Sequence, residues 1–427
     1  MNKTDNLQIE IREKAIFSLF HHDLNANKKS INSDILFGLA NKQNSKSIHN
    51  LASSLYEIVT NAIENYSDKD ISLTLTGGMD SRVILACLLK AGIKPVCFTY
   101  GNKNAKDVVF AKKMAEHFDL TFHNPANETP DKDWYYHWVK ETIIRDNGNS
   151  HLHRAHRTAA IAEHTEMYKP KVLFTGHMGG EGLRGLSYNN YFSSPFFEWV
   201  NEGEMLPLEA AKKVLHNYFI KTDLLDWQTL IDDVMQLSWM KHDKQTNKFN
   251  FLYDLVGKIH HAQDIRLYKS YVPEVVPVFL QQSYLEALFS SQYHFLTKKQ
   301  GLWGRLQNPY VHSKMIEYLY PKLLDYPLVN GYSPREYLKG LWYYAPVKLY
   351  RDYFDKKKYA PTFSYGKWYV DFIKEHSANI DPAIWEIYNK ERYMDALNQN
   401  NHAANEGYWH KFSNPVFFDL KHKILKQ

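Results

Sequence analysis

Apolar and polar positions along the first half of the chain switch repeatedly between two periods. "IHNLASSLYEIVTNAIENY" (48–66) carries apolar residues at helical spacing and predicts an amphipathic helix. "ISLTLT" (71–76) then reads as a strand, and "DSRVILACLLKAG" as a helix stopped by Gly92. "KPVCFTY" predicts a second strand, "KDVVFAKKMAEHF" a second helix and "DLTFH" a third, shorter strand. A helical stretch near 131–166 leads into "KVLFTG" (171–176), another strand that ends on glycine. Strand and helix in alternation predict βαβ units, hence an α/β fold with a parallel sheet flanked by helices. Crossovers in such a sheet are right-handed, and ligands sit beyond the C-terminal ends of the strands. From about residue 200 the pattern is mostly helical, with Trp, Tyr and Phe throughout. The chain therefore divides into a short N-terminal segment (1–47), too small for an independent core, and one domain over 48–427. That domain has a sheet core at 70–190 and a helical part at 191–427.

The junction after the first strand, "LTGGMDSR" (75–82), carries the first chemistry. Gly77 and Gly78 let the backbone wrap closely around a ligand, and the following helix adds partial positive charge at its N-terminus. The hydroxyls of Thr76 and Ser81 are placed to donate to an anion. Asp80 fits no bare phosphate, but it fits one bridged by a divalent ion, because Mg²⁺ favours carboxylate together with phosphate oxygens. No GxxxxGK[ST] string occurs, so the loop is not a P-loop of the Walker type. "GEGLRG" (180–185) fits the dinucleotide pattern GxGxxG, but no apolar helix follows it and it comes late in the chain.

Composition narrows the class. Of 427 residues, 44% are hydrophobic and 23% charged, as expected for a folded globular protein. The net charge of +5 comes without a basic stripe, which argues against a nucleic-acid partner. Cys87 and Cys97 lie in apolar runs and read as small buried hydrophobes, not as a disulfide framework. No apolar run approaches the roughly 20 residues of a membrane span, and "MNKTDNLQIE" has no signal core. The expectation is a cytoplasmic protein with no membrane partner.

"LTGGMDSR" resembles the SGGxDS pyrophosphate loop of the N-type ATP pyrophosphatases (PP-loop enzymes). Its flanks are most similar to the synthetase domain of glutamine-dependent asparagine synthetase and its relatives, beta-lactam synthetase and the lasso-peptide cyclases. The resemblance covers roughly 48–425, strongly to 190. It implies ATP and Mg²⁺ as cofactors, with Thr76, Gly77, Gly78, Asp80 and Ser81 around the pyrophosphate. "VCFTYGNKNAKDVVFAKKMAEHF" is similar to the family's second strand, acidic turn and helix. There the strand end, at Phe98, contacts adenine, and Asp107 matches the turn's acid. "KVLFTGHMGGEGLRG" is similar to the family's LSGEGADELFGG loop, which adds Gly176 to the nucleotide site and Glu181 to the metal. The chain departs from the family at Thr76 (for Ser), at Arg82 (for a frequent second Ser) and at Gly180, where a metal-binding Asp is expected.

The same resemblance locates the reacting groups. His177 stands where asparagine synthetases carry Glu and beta-lactam synthetase a catalytic Tyr, and an imidazole can act as a base near neutral pH. The alternative is a histidine that positions the loop. "YVPEVVPVFLQQSYLEALF" (271–289) is similar to the family's EVRVPFLD segment and makes Glu274 a candidate partner for His177; the alternative is a solvated turn acid. "DKKKYAPTFSYGKW" (355–368) is similar to the late Lys-bearing loop, where Lys357 stands for a run in which Lys356, Lys357 and Lys358 are equal candidates; the alternative is an exposed charge run. "SHLHRAHR" (150–157) offers His151, His153 and His156 as a pocket wall more readily than as a metal site, because no Cys is at hand. Glutamine-dependent members carry a nucleophilic Cys after the initiator Met; here position 2 is Asn2.

The expected function is an ATP-dependent, AMP- and pyrophosphate-forming ligase or cyclase. It would adenylate a small-molecule or peptide carboxylate and form an amide with an amine or ammonia, within one molecule or between two, without glutamine hydrolysis. The alternatives are a catalytically inactive nucleotide-binding subunit and another adenylating PP-loop enzyme. A homo-oligomer or a partner protein is left open.

Overall fold

In a computed structural model, the protein is described at residues 7, 10–15, 33–40, 42, 46–125, 130–184, 208–235, 262–297, 302–340, 343, 346, 350, 359–360, 367–399 and 406–426. The sheet has five parallel strands: β1 (Ile71–Thr74), β2 (Val96–Phe98), β3 (Phe122–His123), β4 (Val172–Thr175) and β5 (Glu274–Pro277). Their spatial order is β3-β2-β1-β4-β5. The chain first steps outward from β1 to β2 and β3, then returns to pair β4 on the other side of β1. The direction of winding therefore reverses between β1 and β4, and a crevice opens above their C-terminal ends.

The predicted alternation is present, with three differences. The helical stretch near 131–166 is two helices, α4 (Lys132–Arg145) and α5 (Ala155–Tyr168). Asn147 and Gly148 take left-handed conformations at φ 48° and 66°, which no continuous helix tolerates. Gly92, at φ 80°, ends α2 (Asp80–Lys90) as expected. The second difference is β5. It lies in the part read as helical, because a four-residue strand is too short to show a period against helical neighbours. The third is that the described strands are shorter than the apolar runs, which continue into the loops that form the crevice.

Each face of the sheet is covered by helices. On one side α1 (Ile48–Ile63), α2 and the long α9 (Leu302–Leu319) pack together. Leu51, Leu55, Val59, Ile84, Leu88, Met315 and Leu319 belong to that core. On the other, α5 and α7 (Ala262–Lys269) pack Ile161, Ile265 and Tyr268 against Phe98, Leu173 and Val275. Three further helices follow strands: α3 (Lys106–His117) follows β2, α6 (Glu181–Arg184) follows β4, and α8 (Gln282–Phe289) follows β5 and packs on α1. Among the described residues no helix is long and apolar enough to cross a membrane.

Candidate active site

The crevice is built from two glycine loops, one after β1 (75–79) and one after β4 (176–180). They touch. A Cβ placed on Gly176 would meet Ser81 N at 3.1 Å and Asp80 Cβ at 3.3 Å. One on Gly179 would meet Asp80 Cβ and Cγ at 2.7 Å and Phe279 Cε2 at 2.9 Å. Glycine is therefore required here for close approach between loops, a constraint separate from ligand binding.

The loop after β1 is braced from inside. Ser81 Oγ accepts the Thr76 N–H at 3.0 Å, and Thr76 Oγ1 accepts the Gly78 N–H at 3.2 Å. The two hydroxyls thus set the loop's shape as it stands. The Gly77 N–H donates to the Asp107 carboxylate on α3, and the Gly77 carbonyl accepts the Val329 N–H at 3.1 Å. What remains directed at the crevice is the first turn of α2, whose amides have no acceptor within the helix. Arg82, which replaces the family's second Ser, is buried and turns away from the crevice. Its guanidinium donates to the carbonyls of Tyr326 and Pro327, the latter at 3.0 Å, and so clamps the 326–329 segment beside the loop.

Asp80 opens α2. Burial, and then the nearby Glu181 carboxylate, push its carboxyl up to about 7, against the opposing pull of Arg184 and of the Gly180 N–H. Gly180 therefore supplies a backbone donor where the family is expected to place a second acid. Arg184 Nη2 lies 3.3 Å from Glu181 Oε1, and the buried His312 of α9 places Nδ1 3.3 Å from Asp80 Oδ1. Asp80, with the Glu181 carboxylate beside it, fits a divalent cation, which would relieve the repulsion between the two. Among the described residues no group of three or more His, Cys, Asp or Glu could hold a metal alone. Mg²⁺ needs none, since it binds through one or two carboxylates plus phosphate oxygens. Asp80 and Glu181 fit that pattern.

His177 follows β4 and is held from two sides. Its Nδ1 lies 3.0 Å from Thr175 Oγ1, and its Nε2 lies 3.4 Å from Asp264 Oδ2 on α7. Asp264 is buried and is also bound by Arg154 Nη1, at 3.0 Å, and by Arg157. Burial alone would raise the Asp264 carboxyl, but Arg157 and His177 outweigh it and hold the group well below the usual carboxylate range. Arg157 also donates to Tyr100, beyond the end of β2. The site thus pairs an imidazole with a carboxylate fixed in its charged form.

That carboxylate is not Glu274. In the sheet register Glu274 pairs with Val172 at the start of β4, while Pro277 pairs with Thr175 at its end. Parallel strands rise about 3.3 Å per residue. Glu274 therefore sits at the opposite end of the sheet from the loop that bears His177, and the expected His177–Glu274 dyad does not form. Phe98 is likewise corrected in part. Its ring stacks on His164 at 4.1 Å within the core, and its carbonyl accepts the Leu75 N–H, so its side chain does not line the crevice. Lys356, Lys357 and Lys358 lie outside the described residues. The adjoining Ala360 donates its N–H to the Asn104 carbonyl at 3.2 Å, at the entry to α3.

The histidines of 150–157 face the helical part. His151 lies 3.4 Å from Ser413 Oγ, and His156 packs with Trp134, Tyr135 and Trp368. Asp264, Arg157, Arg184 and His312 are the site residues that pattern reading missed. Asp264 leaves no local signal, because its helix, AQDIRLYK, also carries Gln263, Arg266 and Lys269. His312 shares a helical face with Met315 and Leu319, and there it reads as core.

A family model described as asparagine synthase matches residues 50–305, which contain both glycine loops, His177 and Asp264. No curated protein matches the chain.

Proposed function

Because the chain belongs to the asparagine synthase family, whose members use ATP to form amides, we propose that it adenylates a substrate carboxylate and passes the acyl group to an amine. The observation that supports this most is the meeting of two pairs at one end of the sheet, Asp80 with Glu181 and His177 with Asp264. In the first half-reaction a carboxylate oxygen attacks the α-phosphorus of ATP, and the bond to pyrophosphate breaks. Bound Mg²⁺, held by Asp80 and Glu181, would supply charge neutralisation at the phosphate oxygens. The α2 amides and Arg184 add fixed positive charge on the same side.

In the second half-reaction the amine nitrogen attacks the acyl carbon, AMP leaves, and the amine gives up a proton. With Nε2–H directed to Asp264, Nδ1 of His177 carries the lone pair that takes it. The Thr175 hydroxyl now fills that position, and the amine would replace or relay through it. Asp264 stabilises the imidazolium that results. Neither cysteine of this chain is placed to serve as the thiol nucleophile of glutamine hydrolysis. Its two cysteines, Cys87 and Cys97, are in the core, where burial pushes both thiols far up.

A second reading, nucleotide binding without turnover, draws on Gly180 in place of the expected acid. Carboxylate-dependent exchange of labelled pyrophosphate into ATP separates the two. Exchange supports the ligase; ATP binding with neither exchange nor pyrophosphate release supports the second reading.

A further inference from the structure

We propose that the cleft between α3 and residues 326–331 is a second ligand site, for a small planar aromatic anion. The cleft measures about 330 Å³ and is lined by Lys106, Phe110, Lys113, Tyr326, Val329 and Tyr359, among others. That is the lower end of the range for small-molecule sites, roughly 300–1,000 Å³.

The spacing of Lys106, Phe110 and Lys113, four and three residues apart, puts all three on one face of α3. A helix that packs against the protein would ordinarily present apolar residues on such a face. Here two exposed ammonium groups flank a ring. Tyr359 stands across from them, its ring centroid 6.2 Å from that of Phe110 and 5.3 Å from Lys106 Nζ. Among the described residues, no acid lines the cleft. Of the α3 carboxylates, Asp107 is engaged with the Gly77 N–H, and Glu116, which acts on Tyr326, lies 4.0 Å from Lys112 Nζ. Two tilted rings, with Lys106 Nζ over the face of one and Lys113 on the same helix face, suit a flat ring that bears a carboxylate or a similar charge.

The cleft lies beside α3, the helix that follows β2, and shares no lining residue with the two pairs at the crevice. Its walls nonetheless meet the phosphate loop from behind. Val329 donates its N–H to the Gly77 carbonyl, and a Cβ on Gly77 would clash with the Val329 side chain and lie 2.8 Å from Phe110 Cβ. The α3 wall holds the Gly77 N–H through Asp107 and the 326–331 wall holds its carbonyl. A ligand that tightens the two walls therefore also stiffens the loop.

The test uses the full chain without ATP, with benzoate as the probe and benzyl alcohol as its uncharged control, read by saturation-transfer NMR. Benzoate is expected to bind about tenfold more tightly than benzyl alcohol, as for a charge-assisted contact. The double variant Lys106→Ala/Lys113→Ala is expected to remove that preference, with unchanged circular dichroism. Hydrogen exchange is expected to slow in both 75–80 and 326–331 when benzoate is added. The proposal is overturned if benzoate does not bind, if the lysine variant binds it equally well, or if Mg·ATP displaces it. Only the displacement arm adds nucleotide and none needs turnover, so a failure here is distinguishable from a failure of the ligase reading.

Discussion

Gly179 and Asp80 stand so close that a single methyl group on Gly179 would lie 2.7 Å from both Cβ and Cγ of the acid. The loop after β4 thus buttresses the carboxylate that opens α2. Gly179→Ala must push either loop aside. Overpacking of this kind costs about 1–3 kcal/mol, and a displacement near 1 Å at a reacting centre costs about 100-fold in rate. The expected result is a folded protein with a modestly lower Tm and pyrophosphate exchange reduced by about 100-fold. Wild-type exchange would show that Asp80 is not held by this contact.

His177 and Asp264 are expected to divide from Asp80 in kinetics. His177→Ala should leave carboxylate-dependent pyrophosphate exchange within a few fold of wild type, while product falls by about 100-fold or more, the usual contribution of a positioned base. Loss of exchange in the same variant would move His177 into the phosphate site. Asp264→Asn acts through the imidazole and is expected to shift the acidic limb of the pH–rate profile. It also leaves Arg154 and Arg157 facing a neutral group, so Tm should fall as well.

Arg82 makes a structural prediction. Its guanidinium is fully buried, burial holds its pKa down to about 9, and it satisfies the carbonyls of Tyr326 and Pro327. Arg82→Met would leave both carbonyls without their donor at a cost of about 1–3 kcal/mol each. Urea denaturation is expected to show a loss of about 2–6 kcal/mol for the two together. Mg·ATP should also bind more weakly, because the same segment carries the Val329 N–H to Gly77. Unchanged stability would mean that the segment does not depend on the clamp.

Two buried histidines predict a pH dependence of stability. Burial holds both His156 and His164 down to about 3. In the unfolded chain they take up protons near 6.5. Below that value the unfolded state binds more protons than the folded one, so stability falls as pH drops from about 6.5 toward 3. Two such groups contribute about 2.7 kcal/mol per pH unit in the middle of the window. His164→Gln, which can still meet the Ser72 hydroxyl now 2.8 Å from Nε2, is expected to halve that part of the slope. A slope unchanged between pH 6 and 4 would contradict it.

The sheet and the first glycine loop were legible because their signals are local. β1, its turn and α2 occupy 20 consecutive residues, Ile71–Lys90, with a period change at the loop. The partner of His177 was not legible in the same way. Two acids, Asp264 and Glu274, lie ten positions apart after the same stretch of chain. Which of them reaches the crevice depends on the pairing of β5 with β4, a long-range relation. Arg82 shows the same limit. Opposite a motif it reads as an exchange in a phosphate loop, and only the approach of residues 326–329 makes it a clamp. Phe98 does stand at a strand end, but which sheet face its ring takes follows from the packing of α5 and α7, a relation that the local pattern does not carry.

The fifth strand also bears on how the chain is made. β4 is complete at residue 175, yet the strand that covers its outer edge arrives only at 274–277. During synthesis some hundred residues must therefore emerge while that edge shows unpaired backbone donors and acceptors. Such an edge is a template for pairing with other chains. A truncated product that stops short of Glu274 would carry the nucleotide loops but keep this open edge, and the natural counterpart of such a fragment is a nascent chain in need of a chaperone.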